Sequence, residues 1–148
     1  MPVDAALLGR SFPATSSYLV GREKVREFAR AVFATDPTHT DPEAARALGY
    51  PDVVAPPTFA MVIQDLTLQQ LLAEPDSGIA LERLIHAEQR FRYTRPIVAG
   101  DELTAQLSIT GLRALGKGAM VTSESEITDA AGEHVVTAIS VLLVGGDE

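Results

Sequence analysis

The chain has 148 residues, 46% of them hydrophobic and 22% charged, with no cysteine; this is enough for one buried core, and it excludes disulfides and thiolate metal sites. A formal charge of −8 with no cluster of Lys or Arg excludes a phosphate-binding face, so neither nucleic acid nor an anionic membrane is an expected partner. Without a signal-peptide pattern or an apolar run of membrane-spanning length, the chain reads as cytoplasmic. Its three histidines, His39, His86 and His134, lie too far apart for a zinc motif, and neither a metal nor a cofactor is expected.

Ser16 to Val20 is β-prone and predicts a short strand. Val25, Phe28, Ala29 and Val32 recur at i, i+3, i+4, i+7 and predict an amphipathic helix from Arg22 to Phe33. Thr35 to Thr40 carries Pro37, which pushes its predecessor out of the α region, and reads as a loop. Asp41 as N-cap, Pro42 at the first position and Gly49 past the end predict a short helix from Pro42 to Leu48. The longest apolar pattern follows, VVAPPTFAMVIQDLTLQQLL from Val53 to Leu72. Pro57 is suited to a first helical position, and apolar residues then spread over more than one face, as in a helix that is enclosed. Its first two turns should be the most deeply buried, with Gln64 and Thr67 among the residues that interrupt the apolar pattern.

After Glu74 to Gly78 the period changes to alternation. Ile85, Ala87, Gln89, Phe91 and Tyr93 fall on one face of a predicted strand and His86, Glu88, Arg90 and Arg92 on the other, so Gln89 should point away from His86. Turns at Ala99 to Asp101, Gly116 to Gly118 and Asp129 to Gly132 separate three more strands. The last, Val135 to Val144, is apolar on both faces, as a central strand is. A meander after an enclosed helix is α+β, with an antiparallel sheet curled round one long helix.

Four stretches in this order carry a resemblance: ATDPTHTDPEAARALGY (Ala34 to Tyr50), VVAPPTF (Val53 to Phe59), HAEQ (His86 to Gln89) and RPIVAGD (Arg95 to Asp101). Over nearly its whole length the chain resembles the hotdog-fold MaoC-like dehydratases and R-specific enoyl hydratases. More narrowly, it resembles the N-terminal, non-catalytic half of double-hotdog hydratases and small actinobacterial subunits of 3-hydroxyacyl-thioester dehydratases. The resemblance implies a single MaoC-like N-terminal-type hotdog domain over residues 1–148. It also implies an acyl thioester of coenzyme A or acyl carrier protein as ligand, in fatty-acid or polyketide-type metabolism. Reversible loss of water needs an acid–base pair and a donor to the thioester oxygen.

Catalytic members of the family place the pair in a D-x-N-P-x-H loop and the donor at a glycine N–H where the central helix starts. His39 matches the histidine, Pro37 the proline, Asp36 the asparagine and Ala34 the aspartate. Pro57, which has no N–H, matches the glycine. The resemblance therefore makes His39 and Asp36 the candidate catalytic residues, with Asp36 standing in for Ala34. Ala55, Pro56, Pro57, Thr58, Phe59 and Gln89 are the candidate substrate-binding set. His39 also has a plain reading, as a loop histidine that is simply solvated or hydrogen-bonded to main chain. Arg95 and Asp101 most simply shape the bend between strands, although Arg95 could touch a pantetheine phosphate. Three functions follow: a dehydratase component that binds acyl chains and dimerises with itself or with a catalytic hotdog subunit, a self-sufficient homodimeric hydratase, or a non-enzymatic acyl-thioester binding module.

Overall fold

The computed structural model describes residues 2–146. The N-terminal segment hugs what becomes the edge of the sheet. A 3-10 turn at Ala5–Leu7, capped by the Asp4 carboxylate, sends Leu7 into the core, and Gly9, Phe12 and Thr15 donate their N–H groups to Ile109, Leu107 and Ala105. Strand β1 (Tyr18–Leu19) continues this edge. Helix α1 (Arg22–Ala31) buries Val25 and Ala29 and ends two residues before the sequence reading, because Phe33 takes a left-handed φ of 58°. The 35–40 loop contains a 3-10 turn at Pro37–His39, and α2 (Pro42–Ala47) follows with Asp41 capping the N–H of Glu43.

The central element starts as a 3-10 turn, Pro57–Phe59, and becomes α3 (Ala60–Ala73). Four long strands follow: β2 (Leu84–Tyr93), β3 (Glu102–Leu115), β4 (Gly118–Thr128) and β5 (His134–Val144). With β1 they form one antiparallel five-stranded sheet, in the order β1-β3-β4-β5-β2, curled around α3. β5 lies inside the sheet, which accounts for its apolar character on both faces. The β3 edge is covered by residues 9–19, whereas among the described residues β2 pairs only with β5 and presents its other edge.

Two expectations for α3 and β2 need correction. The fully buried positions on α3 are Ala60, Ile63, Gln64, Thr67 and Leu71, a single face at helical spacing, while Met61, Val62 and Leu68 are half-buried. Val62, Leu68 and Leu72 also pack against the core, so the helix is enclosed as expected; Gln64 and Thr67, expected to interrupt the buried pattern, instead point inward. They can do so because the facing sheet positions are Ser125 and Ser140 rather than aliphatic residues: Thr67 Oγ1 lies 2.9 Å from Ser125 Oγ, and Gln64 Nε2 donates to Ser140 Oγ at 2.5 Å. This polar belt divides the interior into two apolar clusters, one around Phe59 and Ile63 and one around Leu71, Leu107 and Val121.

On β2 the alternation slips at a bulge between His86 and Glu88, where Ala87 is the extra residue. Ile85 is thereby turned outward, 63% exposed, and His86 joins the face of Gln89, Phe91 and Tyr93. The expectation that Gln89 points away from His86 is overturned: His86 Nε2 and Gln89 Oε1 are 3.0 Å apart.

Candidate functional site

The strap formed by residues 53–55 organises the site. Val54 N–H donates to Thr38 at 2.9 Å, Ala55 N–H to Ile97 at 2.8 Å, and Ala99 N–H to Val53 at 3.0 Å, so the histidine loop and the 96–99 segment are stitched to the strap on both sides. His39 Nδ1 sits 2.5 Å from the Val54 carbonyl. A carbonyl only accepts, so Nδ1 carries a proton, and in the neutral form of the imidazole the lone pair sits on Nε2. The main-chain reading of His39 thus holds for one ring nitrogen and leaves the other available.

Asp36 caps the 3-10 turn, its Oδ1 accepting from Thr38 N–H at 2.9 Å and Thr38 Oγ1–H at 2.8 Å. These two bonds, the main-chain one first, hold its carboxyl below the usual carboxylate range. The tight turn does bring Asp36 and His39 together, but through main chain: His39 N–H donates to the Asp36 carbonyl at 3.1 Å. Both side-chain bonds to Thr38 fall on Oδ1 of Asp36, which fixes the orientation of the carboxylate. Ala34, where the resemblance expects the acid–base carboxylate, offers only a methyl group.

Between this loop and the start of the 3-10 turn at Pro57 lies a cavity of about 490 Å³, bounded by Asp36, Thr38, His39, Val54, Ala55 and Pro57. Its far wall is the end of β2 with the following bend, Tyr93, Thr94, Arg95 and Pro96. The structure therefore brings Asp36, His39, Ala55 and Pro57 to one space and leaves Pro56, Thr58, Phe59 and Gln89 off its walls. Pro56 is buried and Thr58 exposed. Phe59 is a core residue, fully buried and edge-on to Phe28 at 5.3 Å between ring centroids.

Gln89 belongs instead to a closed hydrogen-bond ring: Gln64 Nε2 donates to Ser140 Oγ, Ser140 Oγ–H to Gln89 Oε1 at 2.5 Å, and Gln89 Nε2 to Gln64 Oε1 at 2.7 Å. Every donor in the ring meets an acceptor, and a polar cluster in the interior is tolerable only on those terms.

Sequence reasoning missed Tyr93. Its O–H donates to the Pro57 carbonyl, tying the end of β2 to the start of the central helical element, and burial pushes its pKa up from 10.0 to about 12. The available signal was its place on the same strand face as Phe91, one pleat from the bend. Arg95 is partly buried and fully engaged. Its guanidinium forms a fork on Asp101 at 2.8 and 3.0 Å and reaches Asp129 at 3.2 Å, and the paired carboxylates raise its pKa. Asp101 also accepts the N–H of Val98. The bend-shaping role of this pair holds; a guanidinium already shared by two carboxylates is a poor phosphate ligand.

Among known families, the model of the FAS1-like dehydratase domain region matches residues 6–138. A UPF0336 protein of Clavibacter michiganensis subsp. michiganensis is 63% identical over 148 residues, covering 100% of this chain and 99% of that protein. In a crystal structure of the C-terminally truncated HadBC (3R-hydroxyacyl-ACP dehydratase) complex from Mycobacterium tuberculosis, one chain superposes with a TM-score of 0.80 at 30% identity, over 95% of this chain and 99% of that one. A solved MaoC-like dehydratase gives a TM-score of 0.84 at 37% identity over 95% of this chain, which spans only 43% of that longer chain. By its sheet wrapped on a central helix, its family match and these likenesses, the chain belongs to the FAS1-like, MaoC-type hotdog dehydratase family, alongside the small UPF0336 proteins.

Proposed function

We propose that this chain is the acyl-thioester-binding component of a 3-hydroxyacyl-thioester dehydratase in fatty-acid or polyketide-type metabolism. In this reading it is a single hotdog domain working in the cytoplasm with a second hotdog subunit that supplies the aspartate, histidine and N–H donor. One observation carries the proposal: His39 lines the cavity, but Ala34 stands where the family pattern places its carboxylate partner, and Oδ1 of Asp36 is bonded by Thr38. Losing an acid–base partner typically costs about 10²-fold to 10⁴-fold in rate, and losing one donor to the oxyanion about 10²-fold to 10³-fold. The likeness to a chain of the HadBC complex, named as a 3R-hydroxyacyl-ACP dehydratase, supports both the reaction class and assembly with another subunit.

The free edge of β2 beside Tyr93 offers the surface for such assembly, since an unpaired strand edge invites another strand. The experiment is reconstitution: hydration of crotonyl coenzyme A by this chain, by a D-x-N-P-x-H hotdog subunit encoded nearby, and by the two mixed. Activity of the mixture well above the sum of the parts supports the proposal; activity of the mixture equal to that sum would refute it. A self-sufficient homodimer remains the second reading, favoured by the common cavity of Asp36 and His39. Turnover by the chain alone that vanishes in His39→Ala would establish it.

A further inference from the structure

Most hydrogen-bond donors on the cavity wall already serve strong or fixed acceptors. The Thr38 hydroxyl goes to the Asp36 carboxylate at 2.8 Å, Thr94 Oγ1 meets His134 Nδ1 at 2.6 Å, and the Arg95 guanidinium lies on two carboxylates. Tyr93 differs. Among the described residues its O–H meets only the neutral main-chain oxygen of Pro57, the residue that has no N–H where a donor to a thioester oxygen is called for.

We propose that the Tyr93 hydroxyl takes over that missing donor's role, so that the cavity on this chain holds an acyl-thioester carbonyl. This rests on the acyl-thioester reading given above. A hydroxyl turns about its C–O bond, so it can leave one acceptor for another without moving the ring, and a ring set beside Phe91 with centroids 6.1 Å apart is held in place meanwhile. The exchange favours the ligand as negative charge grows on the thioester oxygen, because a bond to a charged acceptor is stronger than one to the Pro57 carbonyl. A phenol keeps its proton throughout the neutral range, and the partial desolvation of Tyr93, which remains 37% exposed, raises its pKa further. Without a carboxylate partner for His39, such a site holds and polarises a thioester and does not turn it over.

The test uses the full chain without a partner and the conjugated ligand sorboyl coenzyme A, whose absorption moves to longer wavelength when its carbonyl is hydrogen-bonded. The wild type should bind it in equilibrium dialysis and shift its absorption. Tyr93→Phe, checked for an unchanged circular-dichroism spectrum, should bind about tenfold more weakly, as loss of one hydrogen bond implies, with the spectral shift gone. A bound ligand with no shift in the wild type overturns the proposal, and so does a shift that survives in Tyr93→Phe; both leave the acyl-thioester reading standing. Absence of binding to the wild type overturns the two together.

Discussion

At the scale of single residues, the sequence shows which chemistry is lacking more readily than which is present. Ala34 and Pro57 are visible as departures from a family pattern because a methyl group and an imide nitrogen cannot do what a carboxylate and an N–H do. Tyr93 was not legible in the same way, since its importance comes from a contact with Pro57, 36 positions away in the chain. Asp36 was legible only in part: the spacing to His39 correctly indicates a tight turn, but a tight turn also offers its own N–H groups, and Thr38 bonds Oδ1 of the carboxylate.

The raised pKa of Tyr93 makes a stability prediction whose sign is fixed. The folded state keeps the proton to about pH 12 and the unfolded chain to about 10.0, so the benefit is complete below pH 10 and is lost as pH rises between the two values. Urea unfolding followed from pH 9 to pH 12, about the two values above, should show a fall in stability that is shallower in Tyr93→Phe. Parallel curves for the two proteins would contradict the burial assigned to this hydroxyl.

At the scale of elements, boundaries followed from local chemistry, and burial did not. Pro42 with Asp41, Pro57, and the glycine turns mark starts and stops that depend on φ and on missing donors, and each stands in the structure within a few residues of its expected place. The inward face of α3 could not be read the same way, because Gln64 and Thr67 are polar and became buried only by meeting Ser125 and Ser140 across the core. The bulge in β2 was equally hidden, although it decides which side His86 takes.

The ring of Gln64, Ser140 and Gln89 should behave as a unit. Gln64→Leu and Gln89→Leu should each destabilise the protein by about 1 to 3 kcal/mol, because each leaves partners unpaired. The double variant should cost clearly less than their sum, with a coupling on the order of 0.5 to 3 kcal/mol. Urea unfolding of the four proteins measures this, and strict additivity would mean that the ring is not a cooperative feature.

At the scale of the whole molecule, the sheet has one edge covered by its own N-terminal segment and one edge, β2, still open beside the cavity. Sedimentation velocity at micromolar concentration should therefore give a dimer of the 15.8 kDa chain, or a dimer on mixing with a hotdog subunit that carries the full motif. A monomer under both conditions would contradict the assembly argument. The fold class was legible from the change of hydrophobic period after α3, since an enclosed helix followed by a meander leaves few arrangements. The site was legible only in outline, because its far wall is built by the bend after β2, whose approach to the helix start no spacing rule reveals.

The central claim is that this chain binds an acyl thioester and cannot process it alone. The most direct measurement is hydration of enoyl thioesters of several chain lengths by the purified wild type with no partner present. The account predicts rates close to the uncatalysed background, since both the carboxylate and the main-chain donor are absent. Turnover in the ordinary enzymic range of about 1 to 10³ per second would contradict it and make Asp36 and His39 the working pair.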